Sequence, residues 1–115
     1  MEKLALFAFN GELLCFVHVL LNAIDMKENG HEVKIILEGP ATQIVPEIAD
    51  KGNPMFSLYR KAREQNLIDG ACKACASKLK AREAIENEDL PLLDEMSGHP
   101  GMRRYLNEGY KIIVF

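Results

Sequence analysis

The amino-acid sequence predicts an α/β protein: a three-layer α/β/α sandwich around a mostly parallel sheet of four to five strands, built as a single domain over residues 1–115. Three observations carry this. The opening run Leu4-Ala5-Leu6-Phe7-Ala8-Phe9 is continuously apolar rather than alternating, as a strand covered on both faces should be. Strand-like and helix-like stretches then follow one another along the whole chain, which is the pattern of a parallel sheet with helical crossovers. Finally, 115 residues with 48% hydrophobic and 27% charged side chains are enough to bury a core without disulfide or metal staples.

The elements follow in order. After the first strand, Asn10-Gly11 turns the chain, with Asn10 as N-cap of a helix over Leu13–Glu28. The apolar stripe of that helix (Leu13, Leu14, Phe16, Val17, Leu20, Leu21, Ile24) is wide, which suits deep packing or sharing with a second subunit. Asn29-Gly30 stops it, and His31–Leu37 forms the second strand, completing a βαβ unit. Glu38-Gly39-Pro40 closes the strand, and Ala41–Asp50 gives a short helical piece limited by Pro46. Asn53-Pro54 is a helix start, with Met55, Leu58, Tyr59 and Ala62 facing inward and an end near Asn66. Leu67–Ala71 is a short third strand, followed by helices at Ala74–Lys80 and Arg82–Glu86. Leu90-Pro91-Leu92-Leu93 is the weakest strand candidate, because Pro91 removes a backbone donor. A last helix, Pro100–Glu108, carries Met102, Tyr105 and Leu106 on its apolar face, and Tyr110–Phe115 is the final strand.

Charge and cysteine usage narrow the function. The net charge of −3, without a basic stripe, argues against a nucleic-acid or acidic-membrane partner. Leu4–Phe9 is too short for a signal sequence and is interrupted by Asn10-Gly11-Glu12. Leu13–Ile24 contains His18 and Asn22 and falls short of the about 20 residues a membrane span requires. Three cysteines make no disulfide framework, so the expected setting is a reducing, cytoplasmic one. No Ser-His-Asp spacing, P-loop or G-x-G-x-x-G is present, leaving hydrolase and nucleotide-binding readings without support.

The chemistry concentrates on Gly70-Ala71-Cys72-Lys73-Ala74-Cys75-Ala76-Ser77-Lys78-Leu79. Its C-x-x-C falls where a strand gives way to a helix, and a helix N-terminus favours thiolate over thiol. Ligands of open α/β sheets bind beyond the carboxyl ends of the strands, which gathers Asn10, Glu38, Cys72, Cys75 and, if Leu92-Leu93 is a strand, His99. Cys72 is the candidate nucleophile and Cys75 a candidate resolving thiol, with His99, Asn10 and Glu38 as substrate-binding candidates. The same spacing serves dithiol–disulfide exchange, although the inner pair Lys73-Ala74 lacks the usual Gly-Pro turn. Buried packing is a further reading. A metal needs more ligands, from Cys15 or His99, so neither metal nor other cofactor is expected. Cys15 reads as a small buried hydrophobe and His18 as a satisfied core or interface histidine.

These residues resemble the DsrE/DsrF-like family of small sulfur-handling proteins. The likeness rests on Leu4–Glu28, on the cysteine segment Gly70–Leu79, and on Gly98-His99-Pro100-Gly101-Met102 through Gly109–Phe115. It implies a three-layer α/β/α fold, assembly with itself as a homotrimer or hexamer, and partners that donate or accept sulfur. In its TusD-like relay members one cysteine carries sulfur as a persulfide, and the matching position here is Cys72, with Cys75 an additional thiol. One departure is Lys80, where relatives often turn at glycine. The resemblance leaves open a non-catalytic oligomeric module that binds a ligand or partner, since many members lack the cysteine.

Overall fold

The computed structural model describes all 115 residues. Five parallel strands form one sheet in the order β4-β3-β2-β1-β5. They are β1 (Lys3–Ala8), β2 (Glu32–Leu37), β3 (Ile68–Cys72), β4 (Leu92–Leu93) and β5 (Lys111–Val114). The helices are α1 (Leu13–Glu28), α2 (Ile44–Ile48, entered through a 3-10 turn at Gly39–Gln43), α3 (Phe56–Glu64), α4 (Lys73–Lys78), α5 (Arg82–Asn87) and α6 (Met102–Asn107). The expected three-layer sandwich is therefore present, and the weakest strand candidate is real, as a two-residue edge strand. Pro91 stands just before it, where its missing N–H costs the ladder nothing, while its carbonyl accepts from Ala71 at 2.9 Å.

The strand order decides which face each helix covers. From β1 to β4 the chain advances steadily across the sheet, so right-handed crossovers put α1 to α5 on one face. The step from β4 to β5 runs back across to the other side of β1 and puts α6 on the opposite face. The core follows this asymmetry. Leu4, Leu6, Val33, Ile35 and Leu37 pack with Phe16, Leu20, Ile44, Ile48 and Tyr59 in the large cluster. On the other face a small cluster of Ala5, Phe7 and Ile36 packs on Tyr105 and Tyr110. Phe7 and Tyr105 meet edge-to-face at 5.5 Å.

Several expectations shift for local reasons. Asn10 does not cap α1: its Oδ1 accepts from the N–H of Glu12, closing a turn, and Glu12 occupies the cap position. Asn53 behaves alike towards Met55, so α3 starts two residues later, at Phe56. Of the expected face of α6 only Tyr105 is buried; Met102 and Leu106 remain exposed because nothing packs beside this lone helix. His18 is exposed rather than part of the core, and Leu14 and Leu21 project outward on α1. Lys80 takes the left-handed turn itself, at φ +62°.

One glycine is essential to the sheet. A Cβ on Gly70 would lie 2.8 Å from both Pro91 O and Leu93 Cγ. Only a residue without a side chain lets β4 lie beside β3.

Candidate functional site

The loop after β3 leaves for the α1–α5 face and the loop after β4 for the α6 face. Between them lies the topological switch point, where an open sheet offers a crevice beyond its strand ends. Cys72 ends β3 and is also the N-cap of α4; its Sγ accepts the N–H of Cys75 at 3.3 Å. Cys75 therefore sits one turn into the helix with its thiol near that of Cys72. Cys72 is fully buried and Cys75 half-exposed, and neither is in a disulfide.

The loop after β4 supplies the third group. Met96 and His99 pair through two backbone hydrogen bonds, at 2.8 and 3.0 Å, around the two-residue turn Ser97-Gly98. Both turn residues have positive φ, +51° and +90°, the geometry of a type I′ hairpin turn. The turn docks on α4: Gly98 O accepts from Ala74 N at 2.9 Å. This places His99 Nδ1 3.1 Å from Cys72 Sγ and 3.8 Å from Cys75 Sγ.

Behind the turn, a polar network on the α6 face fixes its far end. Glu95 accepts from Gly101 N at 2.9 Å and from Arg104 Nε at 3.3 Å. Burial pushes the Glu95 carboxyl up, but those two donors outweigh it and hold it below the usual range. Arg104 also reaches Asp69, at 3.4 Å, and Asp69 accepts from the buried Tyr105 hydroxyl. Asp69, Glu95 and Arg104 escape a reading based on reactive side chains. The one signal for them is an acid inside the apolar strand Ile68–Cys72, which must find a partner across the sheet.

The remaining candidates sort by strand order. Glu38 follows β2, next to β3, and is half-buried; burial raises its carboxyl above the usual range, offset in part by His99. Asn10 follows β1, one strand further, at about 10 Å from β3 by ordinary strand spacing. It is exposed, and its side chain serves the local turn. Cys15, on α1, stays outside the cluster. The sequence expectation that the helix end favours thiolate is reversed at Cys72: burial pushes the thiol up to about 12, and the thiol of Cys75 adds to this, against the opposing Cys75 N–H. The backbone N–H groups of the first turn of α4 favour the charged form but do not offset that burial.

Fold and site together define a small parallel α/β protein with a thiol–imidazole cluster at its switch point. The chain belongs to the family of the uncharacterized protein MJ0733 of Methanocaldococcus jannaschii, to which it is 37% identical over 97 residues, 84% of this chain and 77% of that protein. It is also similar to an uncharacterized protein of Archaeoglobus fulgidus, with 41% identity over 59 residues, 51% of this chain and 95% of that one. No protein-family model matches the chain.

Proposed function

We propose that this protein is a sulfur carrier that holds sulfane sulfur as a persulfide on Cys72. The observation that carries the reading is the 3.1 Å approach of His99 Nδ1 to Cys72 Sγ, with the second thiol 3.8 Å from the same nitrogen. A buried thiol needs a base to become a nucleophile, and His99 is in hydrogen-bond reach. His99 takes the Cys72 proton, and the thiolate attacks the outer sulfur of a donor persulfide, R–S–SH. The donor S–S bond breaks, R–S⁻ leaves and is protonated by the imidazolium, and Cys72 holds S–SH. Two exits follow. An acceptor thiolate attacks the outer sulfur and regenerates Cys72. Alternatively, Cys75 attacks Cys72 Sγ, closing a disulfide and releasing hydrosulfide; the sulfane sulfur is reduced and the two thiols are oxidised.

The likeness to DsrE/DsrF-like proteins supports the same reading and suggests a homotrimer or hexamer that exchanges sulfur with partner proteins. Exposed Leu14, Leu21, Phe9 and Val114 are compatible with such assembly, and three unpaired cysteines with a reducing, cytoplasmic setting. No helix is long and apolar enough to cross a membrane. Dithiol–disulfide exchange is the second reading, favoured by the placement of both sulfurs within 4.8 Å of each other. Intact-protein and peptide mass spectrometry after incubation with a sulfane-sulfur donor separates the two. One added sulfur on Cys72, absent in Cys72→Ser, supports carriage. Loss of two hydrogens, without any sulfur adduct at early times or when Cys75 is replaced by serine, supports exchange instead.

A further inference from the structure

We propose that Cys72, Cys75 and His99 form a binding site for one zinc-type cation, with the fourth corner of its coordination left open. Their ligand atoms, two Sγ and one Nδ1, all lie within 4.8 Å of one another, and no other trio of metal-binding side chains in the chain does so. The inference needs only these three donors and does not rest on sulfur carriage.

Geometry supports the fit. Zinc–sulfur and zinc–nitrogen bonds of about 2.3 and 2.0–2.1 Å at tetrahedral angles separate sulfur from nitrogen by about 3.5 Å. The two observed separations, 3.1 and 3.8 Å, fall on either side of that value. The third, between the two sulfurs, lies within 4.8 Å, against about 3.8 Å at a tetrahedral zinc, so closing the site takes a movement of at most about 1 Å, which rotation of the half-exposed Cys75 side chain supplies. The donors also come from rigid places. Cys72 is held as strand end and helix cap, Cys75 by the first turn of α4, and His99 by the hairpin turn anchored to Ala74 N. The Cys75 N–H aimed at Cys72 Sγ supports a metal-bound thiolate, a hydrogen bond of the kind that orients and tunes ligands from outside the coordination sphere.

The donor set selects the ion. Two thiolates and an imidazole suit zinc or cuprous copper and disfavour magnesium or calcium, which take oxygen. Three protein donors with an open corner are the count found where zinc receives a water or a small ligand, whereas purely structural zinc usually takes four. A thiolate or hydrosulfide is the ligand such a corner would prefer, on grounds of softness.

Zinc titration of the reduced full-length chain against a chromophoric chelator tests the site, with cobalt(II) as the spectroscopic probe. The expected result is one zinc per chain and a thiolate-to-cobalt charge-transfer band. Changes merely outside the ligand set of a metal site cost 10–100-fold, so Cys75→Ser and His99→Ala should each weaken zinc binding by at least about tenfold. Both positions are half-exposed, so the variants should fold, which circular dichroism checks. Cys72→Ser should lose the site as well, and Cys15→Ser should leave it unchanged. Absence of stoichiometric binding overturns the proposal, as does binding that survives both Cys75→Ser and His99→Ala or follows Cys15.

Discussion

Replacing Gly98 by alanine should unlock Cys72. Gly98 sits at φ +90°, a region that costs a residue with a side chain roughly 1–2 kcal/mol. Its new Cβ would also stand 3.3 Å from Ala74 Cβ, closer than an ordinary contact. Both penalties fall on the docked turn and are relieved when it unwinds and lifts from α4, so they act on the opening equilibrium. A penalty of 1–2 kcal/mol raises the open population about 5–30-fold. Cys72 is fully buried beneath this turn and His99, so its alkylation follows the open population when opening and closing are fast. The assay is iodoacetamide labelling under native conditions, with Cys72 and Cys75 quantified separately by peptide mass spectrometry. Cys72 should react about 5–30 times faster in Gly98→Ala, and half-exposed Cys75 should change much less. Gly101→Ala is the control: its φ is −100° and its Cβ would make only an ordinary 3.5 Å contact with Met96 Cβ, so both rates should stay put. An unchanged Cys72 rate in folded Gly98→Ala would refute the claim that this turn shields the thiol.

Further outcomes follow from the packing. Asp69→Ala leaves the buried Tyr105 hydroxyl without its acceptor and removes one of the two carboxylates that hold Arg104; urea unfolding should show a loss of about 2–3 kcal/mol, against about 1 for Tyr105→Phe. Equal losses would mean that the network is not organised on Asp69. Gly70→Ala should cost about 1–3 kcal/mol through its contacts with Pro91 and Leu93, and amide exchange should quicken first at Ala71, whose N–H bonds Pro91. Burial raises the Tyr59 and Tyr110 hydroxyls to about 12 and Tyr105 further still, with the acids Glu88, Glu32 and Asp69 adding to it. The folded state thus holds these protons more tightly than the unfolded chain. Their contribution is complete below the ordinary tyrosine value near 10 and is lost as pH rises towards 12. Denaturant midpoints should fall across that window, and a flat profile would contradict it.

How far the sequence could be read depended on the range of the interactions. Uninterrupted apolar runs and glycine stops identified β1, α1 and β2 nearly to the residue, because local periodicity and burial agree there. The strand-end rule places Cys72, Glu38, His99 and Asn10 on one edge from sequence alone, and the structure adds that Glu38 neighbours the cluster while Asn10 does not join it. Two things were hidden. The thinness of the α6 layer depends on strand order, which is not written in any local pattern, so Met102 and Leu106 looked buried. The state of Cys72 depended on a competition between burial and helix end, and burial, supplied by distant residues, wins. His99 was legible as a loop residue, but its aim at the thiols comes from the Ser97-Gly98 turn and the Glu95–Arg104–Asp69 network behind it.

The central claim is that Cys72 and His99 act as one sulfur-accepting unit. Time-resolved mass spectrometry of the reduced chain with a sulfane-sulfur donor tests it most directly, comparing the unaltered protein with His99→Ala and Cys75→Ser. The account predicts a single added sulfur on Cys72, formed more slowly by about 10²–10⁴-fold without the His99 base and longer-lived without Cys75. Sulfur that never reaches Cys72, or that reaches it as fast in His99→Ala, would contradict it.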